Sequence, residues 1–198
     1  MSPPTRRELV QRAITVAVTG AGSGALLAPE PALAAAESDD ELIRGLLATE
    51  LLIVFVYQHV LALRLLAPAP ARVAGQFAAQ ERAHVAVLAA ELRRLGVPPP
   101  PPPVSVAAAD DALAHGRVTG SLAALRTAQD CLKLLIGIES LAEGAYFKAI
   151  GILRNPGLSR TAAQILACEA QHWTVLAELQ YPGKIYRSVP WPYVTGTA

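Results

Sequence analysis

The chain has few aromatic residues and no excess of basic charge. The first shortage restricts how its core can be built, and the second restricts its possible partners. Aromatic residues make up 5% of its 198 residues, whereas hydrophobic residues make up 53%. A core must therefore be built mainly from close-packed aliphatic side chains. The 17 basic residues nearly balance the 16 acidic ones, and the formal net charge is +1. No basic tract is present, so nucleic acid is not an expected partner.

Cysteine is also scarce, and the two cysteines do not indicate a disulfide. Cys131 is predicted far from the loop that joins its helix to the next, and Cys168 close to that loop. In an antiparallel pair of helices this separates them by roughly 15 Å or more along the axis. That exceeds the reach of a disulfide. We expect two buried free thiols.

The N-terminal segment resembles a twin-arginine export signal. Arg6 and Arg7 lie in the sequence TRRELV, a modestly apolar stretch runs from Ala13 to Ala28, and Ala32 to Ala34 fits a small-x-small cleavage site. The pattern predicts that residues 1–36 are a removed signal peptide. The twin-arginine machinery would then be a partner, with delivery to the periplasm, cell envelope or exterior. A disordered basic leader is the alternative.

Residues 37–180 predict an all-α domain of four long helices. Stop signals and capping residues place the helices at about 39–66, 71–95, 121–153 and 159–179, with Ser38 and Ser159 as the N-caps of the first and last. Residues 98–103 are six consecutive prolines, which favour an extended crossover between two helical hairpins. A ligand for a proline-binding domain is the alternative.

Two shorter segments flank these helices. Residues 110–115 are predicted to form a short helix in the crossover, with His115 in contact with solvent. Residues 181–198 form a tail that we expect to be non-helical. Its aromatic residues Trp191 and Tyr193 are expected to pack on the bundle or on a neighbouring subunit of a homo-oligomer.

The first predicted helix is apolar enough to raise the alternative of a membrane span. Its run LLATELLIVFVYQHVLALRLLA is long enough to cross a bilayer. However, it contains Glu50, Gln58, His59 and Arg64, each of which is costly at membrane depth. We favour a helix buried in a bundle. His59 points away from Glu50 and is interpreted as a core or surface histidine, not as a ligand.

The most informative motif is Glu-x-x-His, which occurs twice. Glu81 precedes His84 and Glu169 precedes His172, and the two pairs are 88 residues apart. At this spacing a carboxylate and an imidazole share one helix face and can bind the same ion.

A second motif repeats with nearly the same offset. Glu50 precedes Tyr57 by seven residues, and Glu139 precedes Tyr146 by seven, 89 residues later. Seven residues are about two helical turns, so each glutamate shares a face with its tyrosine. The chain therefore reads as a duplicated helical hairpin.

The repeat predicts four glutamates and two histidines around one axis. Burying four uncompensated carboxylates is prohibitive, and two divalent cations would balance their charge. Oxygen and imidazole ligands without thiolate suit iron or manganese, and we expect iron more than manganese. Surface coincidence and a metal-free polar core are the alternatives.

With these residues the chain resembles the ferritin-like superfamily of dinuclear carboxylate bundles, and more narrowly the exported bacterial ferritin-like domain proteins, including the desiccation-associated type. The resemblance covers about residues 39–180 and implies an antiparallel four-helix bundle. It implies bridging roles for Glu81 and Glu169. The implied metal ligands are Glu50, Glu81, His84, Glu139, Glu169 and His172. Glu143 resembles the additional carboxylate of the peroxide-reducing branch, but Val54 occupies its place in the first half.

Two classes of function follow. The first is a redox enzyme that oxidises Fe(II) or reduces oxygen or peroxide, with Glu143, Tyr57 and Tyr146 as candidate catalytic residues. The tyrosines are read as hydrogen-bond partners of the ligands or as core residues, with radical sites as the alternative. The second class is a non-catalytic, stress-associated structural or metal-binding bundle.

Overall fold

The computed structural model describes residues 37–190, and every regular element in that range is helical. The elements in chain order are α1 (Asp39–Ala62), α2 (Pro68–Arg94), α3 (Val106–His115), a 3-10 turn (Leu122–Ala124), α4 (Ala128–Ile152), α5 (Pro156–Gln180) and α6 (Ile185–Ser188). The predicted all-α class is confirmed. The proposed signal peptide, Trp191 and Tyr193 lie outside the described residues.

The four long helices pack in consecutive pairs. α1 packs along α2, and α4 packs along α5, while α1 also contacts α4 and α2 contacts α5. The shared core is aliphatic, and Ile53, Val56 and Ile138 are fully buried in it. This pairing is the one that the duplicated hairpin predicts, and it directs one face of each helix to a common interior.

By length and composition alone, α1 is long and apolar enough to cross a membrane. The core helix of a helical bundle can be equally long and apolar, because it is buried on several faces. Ten residues of α1 are buried within the protein, and Glu50 is one of them. We therefore interpret α1 as a core helix.

The crossover between the pairs contains the proline run and α3. Residues 98–103 have no regular structure. α3 begins four residues earlier than predicted, because the Ser105 side chain caps it by accepting a hydrogen bond from the Ala108 amide (3.1 Å). Asp110 then accepts hydrogen bonds from the amides of Leu122 (2.6 Å) and Ala123 (3.2 Å) and ties α3 to the chain before α4.

Three of the four predicted starts of the long helices are also wrong. α2 begins at Pro68 instead of residue 71, because proline lacks the amide proton that the first turn would leave unused. α4 begins at residue 128 instead of 121, where Thr127 and Asp130 form a capping box. α5 is capped by Asn155, which accepts from the Gly157 amide (2.8 Å), and not by Ser159.

Two further predictions need correction. α1 ends at residue 62 instead of about 66, and Arg64 adopts a left-handed conformation (φ 54°) just beyond it. The tail is not wholly irregular, because residues 185–188 form the one-turn helix α6. Glu178 holds this turn by accepting hydrogen bonds from the Gly183 amide (2.7 Å) and the Ser188 hydroxyl (2.8 Å).

Candidate metal centre

The six predicted ligands converge at the centre of the bundle. Glu50 lies on α1, Glu139 lies on α4, and the two Glu-x-x-His pairs lie on α2 and α5. All four glutamates are 0% exposed. The helical periodicity that placed these residues on inward faces therefore also brings their side chains together.

The carboxylates are arranged around two imidazole nitrogens. Nδ1 of His172 lies 2.8 Å from Oε1 of Glu81 and 3.6 Å from an oxygen of each of Glu139 and Glu169. Nδ1 of His84 lies 2.9 Å from Oε1 of Glu169, 3.2 Å from Oε2 of Glu81 and 3.7 Å from Oε2 of Glu50. Glu81 and Glu169 each present one oxygen to one histidine and the second oxygen to the other.

The donor atoms form two overlapping groups of the size that a metal ion requires. One group is Glu50, Glu81, His84 and Glu169, and the other is Glu81, Glu139, Glu169 and His172. Within each group the donor atoms lie within 4.8 Å of one another. Ligands at about 2.0–2.2 Å from one ion are at most roughly 4.4 Å apart, so small side-chain adjustments suffice.

Several buried polar atoms of the centre have no hydrogen-bond partner of good geometry among the described residues. They are Oε2 of Glu50, Oε1 of Glu81, Oε2 of Glu139, both carboxylate oxygens of Glu169 and Nδ1 of His172. Buried polar atoms are normally satisfied, and exceptions call for a specific explanation. All of these atoms belong to residues of the two donor groups. The residues therefore fit a pair of metal ions.

The electrostatics of the protein without bound ions shows how strongly the carboxylates interact. Burial raises the pKa of Glu50 to about 8, and burial also raises the pKa of Glu139 well above its usual value. Burial acts in the same direction on Glu169, but its contacts with the two histidines outweigh it and lower the pKa to about 2. Burial would lower the pKa of His172, yet its close contacts with the carboxylates of Glu139, Glu169 and Glu81 raise it to about 12. In the metal-free protein, bound protons therefore supply the positive charge that metal ions would otherwise supply.

The two tyrosines bind carboxylates of the opposite half. The Tyr57 hydroxyl donates to Oε1 of Glu139, and the Tyr146 hydroxyl donates to Oε1 of Glu50. Both tyrosines are fully buried. Burial, followed by the negative charge of the bonded glutamate, raises the pKa of each phenol, so each hydroxyl stays protonated and acts as a donor. Each tyrosine thus orients one carboxylate of the candidate centre.

Three residues around His172 were not identified from the sequence. Phe77 stacks on its ring with centroids 4.1 Å apart, and Gln80 Oε1 lies 2.8 Å from its Nε2. Cys168 Sγ lies 3.4 Å from the same nitrogen and is only half-buried, so the prediction of two buried thiols is wrong for this residue. Cys131 is buried, and both cysteines are free. The spacing i, i+4 from Gln80 to His84 and from Cys168 to His172 could have indicated their proximity to the site.

The remaining candidates lie outside the donor groups. Glu143 is half-buried, and burial, together with the negative charge of Glu169, raises its pKa to about 7. His59 is half-buried on α1, and His115 is exposed at the end of α3. Neither histidine belongs to a donor group in residues 37–190.

Comparison with known proteins agrees with this architecture. The crystal structure of a conserved hypothetical protein, rv2844, from Mycobacterium tuberculosis has a similar fold, with a TM-score of 0.62. The two sequences are 18% identical, and the match covers 81% of this chain and 94% of the other. At this identity the likeness concerns the fold alone. No curated protein matches the chain.

The sequence model of the ferritin-like domain matches residues 38–182, a range that includes all four long helices. The fold and the buried Glu/His groups define a helical bundle that could hold metal ions. The chain belongs to the ferritin-like domain family.

Proposed function

We propose that this protein binds two iron or manganese ions, with iron preferred, and that it oxidises Fe(II) or reduces oxygen or peroxide. The observation that carries the proposal is the placement of Glu81 and Glu169. Each presents one oxygen to each histidine, which is the arrangement of a carboxylate that bridges two ions. Four negative carboxylates and two divalent ions also give a neutral buried centre.

The chain's own residues would bind and shield the ions. Glu50 and His84 would hold one ion, Glu139 and His172 the other, and the two remaining glutamates both. Bound iron would supply electron storage and Lewis acidity. Leu88 and Leu176, each one turn beyond a ligand histidine, are 0% exposed, so buried apolar side chains follow the centre along both helices.

A non-catalytic bundle is the second candidate. Each histidine lies within 3 Å of a glutamate of the other half, so ion pairs could hold the two halves together without turnover. The hypothesis of a non-catalytic bundle predicts a stable protein with no oxidase activity when two ions are bound.

Metal content and iron oxidation test the proposal. The purified chain is loaded anaerobically with Fe(II), freed of excess metal, analysed for metal, and then mixed with oxygen or peroxide. We expect two ions per chain and oxidation faster than that of Fe(II) in buffer. The double variant His84→Ala/His172→Ala should lose both properties, whereas His59→Ala/His115→Ala should retain them. A folded His84→Ala/His172→Ala protein with two ions would refute the site, and a loaded but inactive wild type would favour the second candidate.

We also propose export by the twin-arginine route, supported by Arg6 and Arg7 in their sequence context. Folded proteins use this route, so the metal could be loaded before export. Replacing both arginines by lysine should leave unprocessed protein in the cytoplasm. Normal secretion of that variant would argue against the route.

A further inference from the structure

The two histidines of the centre differ in their access to solvent. The His84 side chain is 12% exposed, whereas the His172 side chain is 1% exposed. Phe77 covers one face of His172 at van der Waals distance. The aromatic ring found near His84 in residues 37–190 is that of His172 itself, 6.3 Å away between centroids. Water can therefore reach one ligand ring and not the other.

The hydrogen bonds to the outer ring nitrogens are also unequal. Gln80 and Cys168 are equivalent in the repeat, 88 residues apart, and each precedes the histidine of its own helix by four residues. A symmetric bundle would give one of them to each histidine. Instead, both contact Nε2 of His172, at 2.8 Å and 3.4 Å. No described side chain bonds to Nε2 of His84.

This difference affects how firmly each ring can hold an ion. A histidine that binds through Nδ1 must carry its proton on Nε2, and a hydrogen-bond acceptor at Nε2 fixes both the tautomer and the ring plane. Gln80 supplies that acceptor to His172, and the stack with Phe77 restrains the same ring. Within residues 37–190 no side chain offers such an acceptor to His84, so we infer that its ring can turn or exchange its ligand more readily.

We propose that the two metal positions are inequivalent: the ion at His84 exchanges, the ion at His172 is retained, and Gln80 is the positioning residue that maintains the difference. The inference rests on the proposed two-metal site. It adds that the site releases and takes up metal one ion at a time, through the side of the bundle on which His84 meets solvent.

Release of Mn(II) into excess chelator tests the inference without requiring turnover. Chains loaded with two Mn(II) ions are mixed with chelator, and the protein-bound metal is measured over time. We expect two phases of one ion each, with rates that differ by at least about 10-fold. His84→Ala should keep one slowly released ion. Gln80→Leu should accelerate the slow phase by roughly 10–100-fold and leave the fast phase unchanged.

Two matched variants separate positioning from general damage. Gln80→Glu retains an acceptor oxygen and should preserve the slow phase. Gln76→Leu makes the same substitution at an exposed position one turn earlier on α2 and should change neither rate. Two ions leaving wild type in one phase, or an unaltered slow phase in folded Gln80→Leu, would overturn the inference while leaving the two-metal site intact. Failure to bind Mn(II) and Fe(II) at all would overturn both.

Discussion

Tyr57 donates a hydrogen bond to Glu139, a carboxylate that lies on the opposite half of the duplicated bundle. Tyr146 repeats this contact in reverse with Glu50. The two crossed contacts tie α1 to α4 at the level of the candidate metal centre, so the same hydrogen bonds that orient Glu50 and Glu139 also join the two halves.

Removing either phenol hydroxyl should weaken metal binding. Tyr57→Phe leaves a buried oxygen of Glu139 without its donor, which costs about 1–3 kcal/mol for a buried polar group. We expect metal affinity to fall by roughly 10–100-fold, measured by chelator competition, and Tyr146→Phe should behave similarly. Tyr186→Phe removes a hydroxyl from a residue that is 65% exposed and should have no effect.

The same variants distinguish orientation from electron transfer. If Tyr57→Phe binds two ions with wild-type affinity but no longer oxidises iron, the hydroxyl acts in the redox step and not in positioning the ligand. Loss of affinity with the activity per bound ion preserved would support the positioning role.

The crossed contacts also show how far the sequence could predict the site. The spacing of seven residues places Glu50 and Tyr57 on one helix face, but about 10 Å apart along the axis at 1.5 Å per residue. They therefore cannot bond to each other, and each needs a partner on another helix. The repeat indicated that the six ligands would meet, because helical periodicity fixes which face each occupies.

Other details depend on side-chain conformations and local caps that periodicity does not determine. Gln80 could have bonded to His84 on its own helix, yet its amide reaches His172 across the bundle. The helix starts were mispredicted for a related reason. Pro68 falls in the predicted gap between residues 66 and 71 because proline stops a preceding helix, yet proline is also favoured in the first turn of the next one.

Stability without metal should fall as the pH rises. The pKa of Glu50 is raised to about 8 and that of His172 to about 12, so the folded state binds more protons than the unfolded one above the ordinary pKa of each group. The stability from Glu50 is lost between about pH 4.5 and 8, and that from His172 above about pH 6.5. The Tm of chelator-treated protein should therefore decrease from pH 6.5 to 8.

The opposite slope should appear at low pH. The pKa of Glu169 is lowered to about 2, so its stabilising contribution is lost as the pH falls from about 4.5 toward 2. Bound metal displaces the protons of the centre, so loading at pH 7 should release protons into a weak buffer.

A Tm of metal-free protein that rises between pH 6.5 and 8 would contradict the predicted loss of stability from Glu50 and His172.

Two helical glycines should respond differently to substitution by alanine. A Cβ at Gly45 in α1 would meet nothing within 4 Å, so Gly45→Ala should stabilise the helix by about 0.5–1 kcal/mol. A Cβ at Gly137 in α4 would lie 3.0 Å from Cγ1 of Val118. The Gly137→Ala variant should therefore gain less stability or lose some. The two metal-free variants are compared by thermal unfolding. A larger gain in stability at Gly137 would show that Val118 moves away from the new methyl group at little cost.

Glu143 should matter more for peroxide than for oxygen. It is half-buried near the centre, and in the metal-free protein burial and the negative charge of Glu169 raise its pKa to about 7, so this carboxyl is suited to carrying a proton. Oxygen–oxygen cleavage in peroxide requires proton delivery, and a positioned acid typically contributes about 100-fold or more. Glu143→Gln should therefore slow peroxide-driven oxidation of Fe(II) by roughly 100-fold and oxygen-driven oxidation by less.

The metal content of Glu143→Gln decides what any loss of rate means. The variant should still bind two ions, because Glu143 lies outside both donor groups. Glu91→Gln removes a carboxylate that pairs with Arg94 at the surface and should leave both rates unchanged. Equal losses with the two oxidants would remove the special role in peroxide chemistry, and loss of an ion would instead identify Glu143 as a ligand. A ratio of peroxide to oxygen rates that falls at constant metal content would support Glu143 as the proton donor for peroxide, because only a step specific to that oxidant would then have been slowed.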